Sequence, residues 1–292
     1  MLLTPWQATD PVHGLTLRGW ASPPRGRPLL HVLHGNGLCG RTYTPMLMLL
    51  ERDFDLWLCD LQGHGDSDTG SAFLGWNANA AMAARAFRAH HPDPVSPVFG
   101  LGHSFGGVLT ALMASQDPGL FQRTVLLDPV IHTPAVLAML AVLETTGLQG
   151  LLPLVRATRR RREHWASRAE AFARLRGRGV FVDWCDAALA AYVEHGLRDT
   201  ATGVTLKCPA VIEAAIFGSR PRGLWPQLER LATPTLLVHG DRSLPFVAPS
   251  AQRLAARNPA VEVAVVAGSH CFMLAEPAAA AERVAAFLHR SG

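Results

Sequence analysis

The chain has 292 residues, 49% hydrophobic and 17% charged, a balance that supports a sizeable core and excludes a disordered chain. Its longest unbroken apolar run, Ala135 to Leu143, is about half the roughly 18 residues a membrane span needs, which excludes a transmembrane protein. The net charge of 27 − 23 = +4 rests almost wholly on arginine, since Lys207 is the only lysine. The one dense basic cluster, Arg156, Arg159, Arg160, Arg161 and Arg162, reads as a solvated helix face, with an anion or membrane-surface site as the other reading. Five scattered cysteines without a CxxC pair fit neither a disulfide framework nor a zinc site and are expected to be free thiols. The opening MLLTPWQATD lacks the basic start, apolar stretch and cleavage site of a secretory signal, so a cytoplasmic location is expected.

In chain order, Gly14 to Trp20 reads as an early, antiparallel strand. Short apolar runs follow at Leu29–Leu33, Leu56–Cys59, Pro97–Leu101, Thr124–Leu127, Thr235–Val238 and Val261–Val266, alternating with helical stretches. That alternation predicts an α/β architecture, a mostly parallel sheet with helices on both faces. From Asp128 to Thr235 the alternation stops, and helical patterns broken by Gly and Pro intervene. Residues 130–231 are therefore expected to form a helical cap inserted in a core of residues 1–129 and 232–292. Within it, Val136, Leu137, Leu140 and Leu143, and then Trp184, Leu189 and Tyr192, recur at helical spacing. These stripes read first as core packing, with some side chains free to line a pocket beneath the cap. His90-His91 next to Pro92 reads as a helix end.

The motif that carries chemistry is Gly102-His103-Ser104-Phe105-Gly106-Gly107, directly after an apolar strand and directly before the helical stretch Val108 to Gln116. A serine on such a turn is pushed out at the end of the sheet, flanked by glycines where side chains would strike backbone, and faces the positive end of a helix. Serine is a weak nucleophile at neutral pH and needs a base. Among thirteen histidines, His270 alone follows the last strand directly and precedes a helix, one that begins near Glu276. No histidine pair has H-E-x-x-H spacing, and no P-loop or G-x-G-x-x-G is present, so neither metal, cofactor nor nucleic acid is expected.

Ser104 and His270 in this order and context resemble the α/β-hydrolase fold family, specifically a serine esterase or lipase-like member with a cap. His34-Gly35-Asn36-Gly37 looks like the family's oxyanion loop, and Asp60-Leu61-Gln62-Gly63-His64-Gly65-Asp66-Ser67 like its D-x-x-G-H-G-x-S turn. The resemblance implies an eight-stranded sheet and an oxyanion hole made by the backbone N–H groups of Asn36 and Phe105. It gives His34 and His64 structural roles in holding loops. Family enzymes often place the triad acid three residues past the glycine ending the penultimate strand, and here that position is Ser243. Two candidates remain open. Asp241 serves if the loop is two residues shorter. Asp128, at the end of the strand after the nucleophile helix, serves if the acid sits where haloalkane dehalogenases and pancreatic-type lipases carry it. The side chain that loses would be a loop-capping aspartate.

The implied reaction is hydrolysis of a small-molecule carboxylic ester of short to medium acyl length through an acyl-enzyme on Ser104. Other readings of the same triad are lactone, thioester or C–C hydrolysis and perhydrolysis. A small-molecule receptor is the reading from another class. A serine at position 104 argues against halide and epoxide chemistry, which use a carboxylate nucleophile. Glu213, in an apolar segment, either faces the pocket or pairs with one of the many arginines.

Overall fold

The computed structural model describes residues 1–91 and 96–290. A hairpin of β1 (Thr4–Thr9) and β2 (Thr16–Ala21) opens the fold. Strands and helices then alternate: β3 (Leu29–Leu33), α1 (Thr44–Leu50), β4 (Asp55–Asp60), α2 (Trp76–His90), β5 (Val98–His103), α3 (Phe105–Gln116) and β6 (Arg123–Leu127). Residues 130–231 carry α4 (Pro134–Thr146), α5 (Pro153–Arg159), β7 (His164–Trp165), α6 (Arg168–Leu175), α7 (Asp186–His195), β8 (Leu197–Thr200), β9 (Gly203–Leu206), α8 (Ala210–Phe217) and α9 (Leu224–Glu229). The chain then returns to the sheet with β10 (Thr235–Gly240), α10 (Val247–Ala255), β11 (Val261–Val266), α11 (Phe272–Ala275) and α12 (Pro277–Leu288).

The main sheet has eight strands in the order β1-β2-β4-β3-β5-β6-β10-β11. It is parallel from β4 to β11, and β2 joins β4 antiparallel. Every residue of β4, β5 and β10 is buried, which is why these strands read as unbroken apolar runs: helices cover both of their faces. Each fully buried Leu or Val there contributes on the order of 1.5–3 kcal/mol of transfer free energy. The helix behind the central strand, α3, is buried from Phe105 to Ala114 and so shows no polar face.

Two departures from the sequence expectations have one cause. β1, TPWQAT, lies at the sheet edge with polar residues facing water, so it has no apolar run to announce it. Residues 130–231 are not purely helical: β7, β9 and β8 form a three-stranded antiparallel sheet from strands of two to four residues, too short for an apolar run and, in β8, mostly exposed. The His90-His91 helix end is found, since α2 closes at His90; Pro92 lies outside the described residues. Among the described residues no helix is long and apolar enough to cross a membrane.

Candidate active site

Ser104 sits between the end of β5 and the start of α3 with φ 54° and ψ −114°, a region non-glycine residues rarely adopt. Conformations of this kind cost about 1–3 kcal/mol and persist only where neighbours enforce them. Here the Ser104 N–H donates to Leu127 O at 3.0 Å, and its carbonyl accepts from Val108 N at 3.2 Å and Val130 N at 3.3 Å. The flanking glycines are required by space. A Cβ on Gly102 would lie 2.4 Å from Gly106 O, and one on Gly106 would lie 2.5 Å from the carbonyls of Leu33 and His34.

Ser104 Oγ lies 2.9 Å from Nε2 of His270, and Nδ1 of the same ring lies 2.9 Å from Oδ1 of Asp128. Asp128 is wholly buried at the end of β6, with φ 44°. Its Oδ2 accepts from Gly240 N–H at 2.8 Å and its Oδ1 also accepts from the hydroxyl of Ser243. The imidazole thus has one nitrogen oriented by a buried acceptor and the other turned to the serine. Asp241 does not reach His270. It is exposed, and its Oδ1 accepts from Gly268 N–H at 2.9 Å, tying down the loop that leads to His270. Ser243, three residues past the glycine that ends β10, donates its hydroxyl to the same Asp128 carboxylate.

The loop after β3 faces the serine. Among the described residues, the backbone N–H groups of Asn36 and Phe105 donate to no protein acceptor. His34 and His64 hold this loop to the next: His34 Nε2 accepts from Leu61 N–H and His64 Nε2 accepts from Gly37 N–H, both at 3.0 Å. Burial keeps both rings neutral, pushing His64 down to about 4 and His34 well below the ordinary histidine range. Their remaining N–H groups donate to Gln62 O at 2.9 Å and Gly35 O at 2.8 Å.

Tyr43 had no signal in the sequence. It is fully buried, accepts from Gly35 N–H at 3.0 Å and meets His103 Nδ1 at 2.6 Å, while His103 Nε2 meets His270 O at 3.1 Å. Burial raises the Tyr43 phenol well above its usual range and lowers His103, so the phenol stays a donor to a neutral ring. The chain holds two tyrosines, and the second, Tyr192, also lines this site.

The serine opens into a cavity of about 260 Å³ walled by Leu38, Val130, Leu154, Val180, Phe217 and Leu244. A larger cleft of about 450 Å³, beside Trp6, Trp57 and His91, contains none of the residues above. The arginine cluster divides at the end of α5. Arg156, Arg159 and Arg160 are exposed, whereas Arg161 turns inward, pairs with Glu213 and donates to Tyr192 Oη at 3.4 Å. Glu213 therefore does both things expected of it, lining the cavity and pairing with an arginine. Burial raises its carboxyl, and the Arg161 charge pulls it partly back. Trp184, Leu189 and Tyr192 lie in the core, while in the α4 stripe Leu140 alone is buried. Cys271, beside His270 in the chain, is buried and its thiol is pushed up to about 12, so it offers no competing nucleophile. Among the described residues all five cysteines are free, and no group of three or more His, Cys, Asp or Glu side chains is arranged to hold a metal ion.

The alpha/beta hydrolase family model matches residues 30–284. Monoglyceride lipase of Mus musculus is 32% identical over 145 residues, and that of Homo sapiens 30% over 145; the match covers 48% of this chain and 47% of each lipase, so the chain spans about half the length of these relatives. Among solved structures, E-2-(acetamidomethylene)succinate hydrolase superposes with a TM-score of 0.78 at 20% identity, over 99% of this chain and 100% of that one. A Mycobacterium tuberculosis esterase superposes with a TM-score of 0.73 at 23% identity, over 99% and 93%. With the family model spanning most of its length, the chain belongs to the alpha/beta hydrolase family.

Proposed function

We propose that the protein is a serine hydrolase that cleaves a carboxylic ester of short to medium acyl length. The observation that carries this reading is the unbroken hydrogen-bond chain from Ser104 Oγ through His270 to Asp128, with both links at 2.9 Å, opening into a cavity with apolar walls. Residues 130–231 act as the cap over a core of residues 1–129 and 232–292, and supply Leu154, Val180 and Phe217 to the pocket.

In the proposed reaction Ser104 Oγ attacks the ester carbonyl as its proton passes to His270 Nε2. The Nδ1–H bond to Asp128 fixes the productive tautomer and steadies the imidazolium that forms. The oxyanion is held by the N–H groups of Asn36 and Phe105, a contribution on the order of 3 kcal/mol per donor. His270 then returns the proton to the departing alkoxide oxygen, leaving an acyl group on Ser104. Water, deprotonated by the same imidazole, attacks the acyl carbonyl; the acid departs and the Ser104 hydroxyl is restored.

The test is hydrolysis of p-nitrophenyl esters from C2 to C12 by the wild type and Ser104→Ala, with fluorophosphonate labelling alongside. Turnover that is lost in Ser104→Ala and falls off at long acyl chains is the expected result. Labelling of Ser104 without turnover of any ester would overturn the ester reading and direct the search to lactones, thioesters and C–C bonds.

A further inference from the structure

One polar group in the pocket wall takes no part in the steps above. Glu213 is 8% exposed and lies on α8, within an apolar helix. Its Oε2 is taken by Arg161, whose other terminal nitrogen donates to Tyr192 Oη. Its Oε1 has no hydrogen-bond partner among the described residues and lies 3.0 Å from where a Cβ on Gly37 would be. Asn36 Nδ2 donates to the Glu213 carbonyl at 3.0 Å, which fixes α8 to the same loop. A carboxylate oxygen with open acceptor capacity therefore stands one residue from a proposed oxyanion donor, in the cavity that holds Ser104.

Burying an ion pair is expensive, and an apolar pair of similar size would serve packing as well or better. A pocket meant only for alkyl groups has no use for this carboxylate: an alkyl substrate would strip it of water and offer nothing in return. A substrate hydroxyl would donate to Oε1 and complete its coordination. Because Arg161 holds Oε2, the carboxylate cannot turn away, so Oε1 points at a fixed place. Sites built to bond a substrate hydroxyl discriminate strongly against the analogue that lacks it.

We propose that Glu213, held by Arg161, is a specificity-determining residue that selects esters bearing a free hydroxyl group close to the scissile bond. This rests on the ester-hydrolase reading. The hydroxyl belongs either to the alcohol or to the acyl part, and matched substrates separate the two. Propyl butanoate is compared with 2-hydroxyethyl butanoate, in which a terminal methyl becomes hydroxyl, and ethyl butanoate with ethyl 3-hydroxypropanoate.

The readout is the ratio of kcat/KM within each pair, divided by the same ratio for alkaline hydrolysis. In the wild type one pair is expected to favour the hydroxyl ester about tenfold or more. In the double variant Arg161→Leu/Glu213→Leu, which leaves no orphan charge, that ratio falls to about one, and Glu213→Gln, which keeps a neutral acceptor, lies between. Melting and fluorophosphonate labelling establish that each variant folds with a competent Ser104. If the double variant does not fold, Glu213→Gln decides: a ratio reduced about threefold or more supports the assignment and an unchanged one overturns it. Turnover of both members of each pair with ratios near one in the wild type would overturn the assignment while leaving the esterase standing. Absence of any ester turnover would remove both.

Discussion

The Tyr43 hydroxyl donates to Nδ1 of His103 across 2.6 Å, and this one contact joins three segments of the site. Tyr43 also accepts from Gly35 on the loop after β3, and His103 reaches the His270 carbonyl from the turn that carries Ser104. Tyr43→Phe leaves a buried N–H and a buried ring nitrogen without partners. Each costs about 1–3 kcal/mol, so unfolding free energy is expected to drop by about 2 kcal/mol or more. Because the loops bearing the proposed oxyanion donors and His270 lose their common tie, kcat should fall more than KM rises. Urea unfolding and ester kinetics on one preparation check both points, and a variant within about 0.5 kcal/mol of wild type would refute the tie.

Asp128 and Asp241 are predicted to respond very differently to loss of charge. Asp128→Asn presents an amide where His270 Nδ1–H needs an acceptor, and kcat is expected to fall by on the order of 10⁴-fold without loss of the fold. Asp241→Asn retains an acceptor for Gly268 N–H and should stay within about threefold of wild type. Ser243 adds a sharper test, because its hydroxyl already touches the Asp128 oxygen that faces His270. The exchange Asp128→Ser/Ser243→Asp should recover at least about tenfold over Asp128→Ser alone, the carboxylate now approaching the ring from β10. No recovery would mean that the acid works from the end of β6 and from nowhere else.

The sheet could be read from the chain because its central strands are buried on both faces and carry unbroken apolar stretches, Leu56–Cys59 in one and Val98–Leu101 in the other. Ser104 could be read because it follows such a strand, and His270 because it follows the last short apolar run, β11, although that strand lies at the sheet edge and is only partly buried. The acid could not. β6 and β10 are hydrogen-bonded neighbours ending on the same side of the sheet, so Asp128 and Asp241 reach the same neighbourhood. The positive φ of Asp128 and the Ser243 contact that separate them are not properties of a linear pattern. Arg161 was hidden among like residues: α5 ends at Arg159, and only the loss of helical spacing beyond it lets one arginine of the cluster turn inward. Tyr43 makes its contacts to residues 8 and 60 positions away, a separation no local motif records.

Stability is expected to decline steeply below pH 6.5. Burial holds His31 at about 3, His64 and His132 at about 4, and His34 and His103 well below the ordinary value. These rings bind protons in the unfolded chain before they do in the folded one. Their contribution is fully present above the unfolded pKa of about 6.5 and is lost as pH falls toward the folded values, each ring by up to about 1.4 kcal/mol per pH unit. Asp60, raised by burial to about 6, and Glu213, also raised, act in the opposite sense but are outnumbered. Urea midpoints should therefore drop sharply between pH 6.5 and 5. A midpoint constant from pH 7.5 to 5 would show that these rings are not buried as described.

His31 gives the most direct test of that account. On β3 it is fully buried against Trp57, with ring centroids 4.9 Å apart, and against Phe87 and Phe121, yet neither ring nitrogen has a hydrogen-bond partner among the described residues. It touches nothing in the proposed reaction. An orphaned polar group of this kind costs about 1–3 kcal/mol, and His31→Leu replaces it with an apolar side chain of similar volume. After some loss of aromatic stacking, the variant should gain about 1 kcal/mol at pH 7.5. It should also lose one ring's share of the acid sensitivity, so its advantage widens by about 1.4 kcal/mol for each pH unit below 6.5 until the wild type unfolds. Unfolding in urea at pH 7.5, 6.5 and 5.5 measures both effects. A variant less stable than wild type by the same amount at all three values would mean that stacking on Trp57 outweighs the orphaned nitrogens and that His31 does not charge on unfolding.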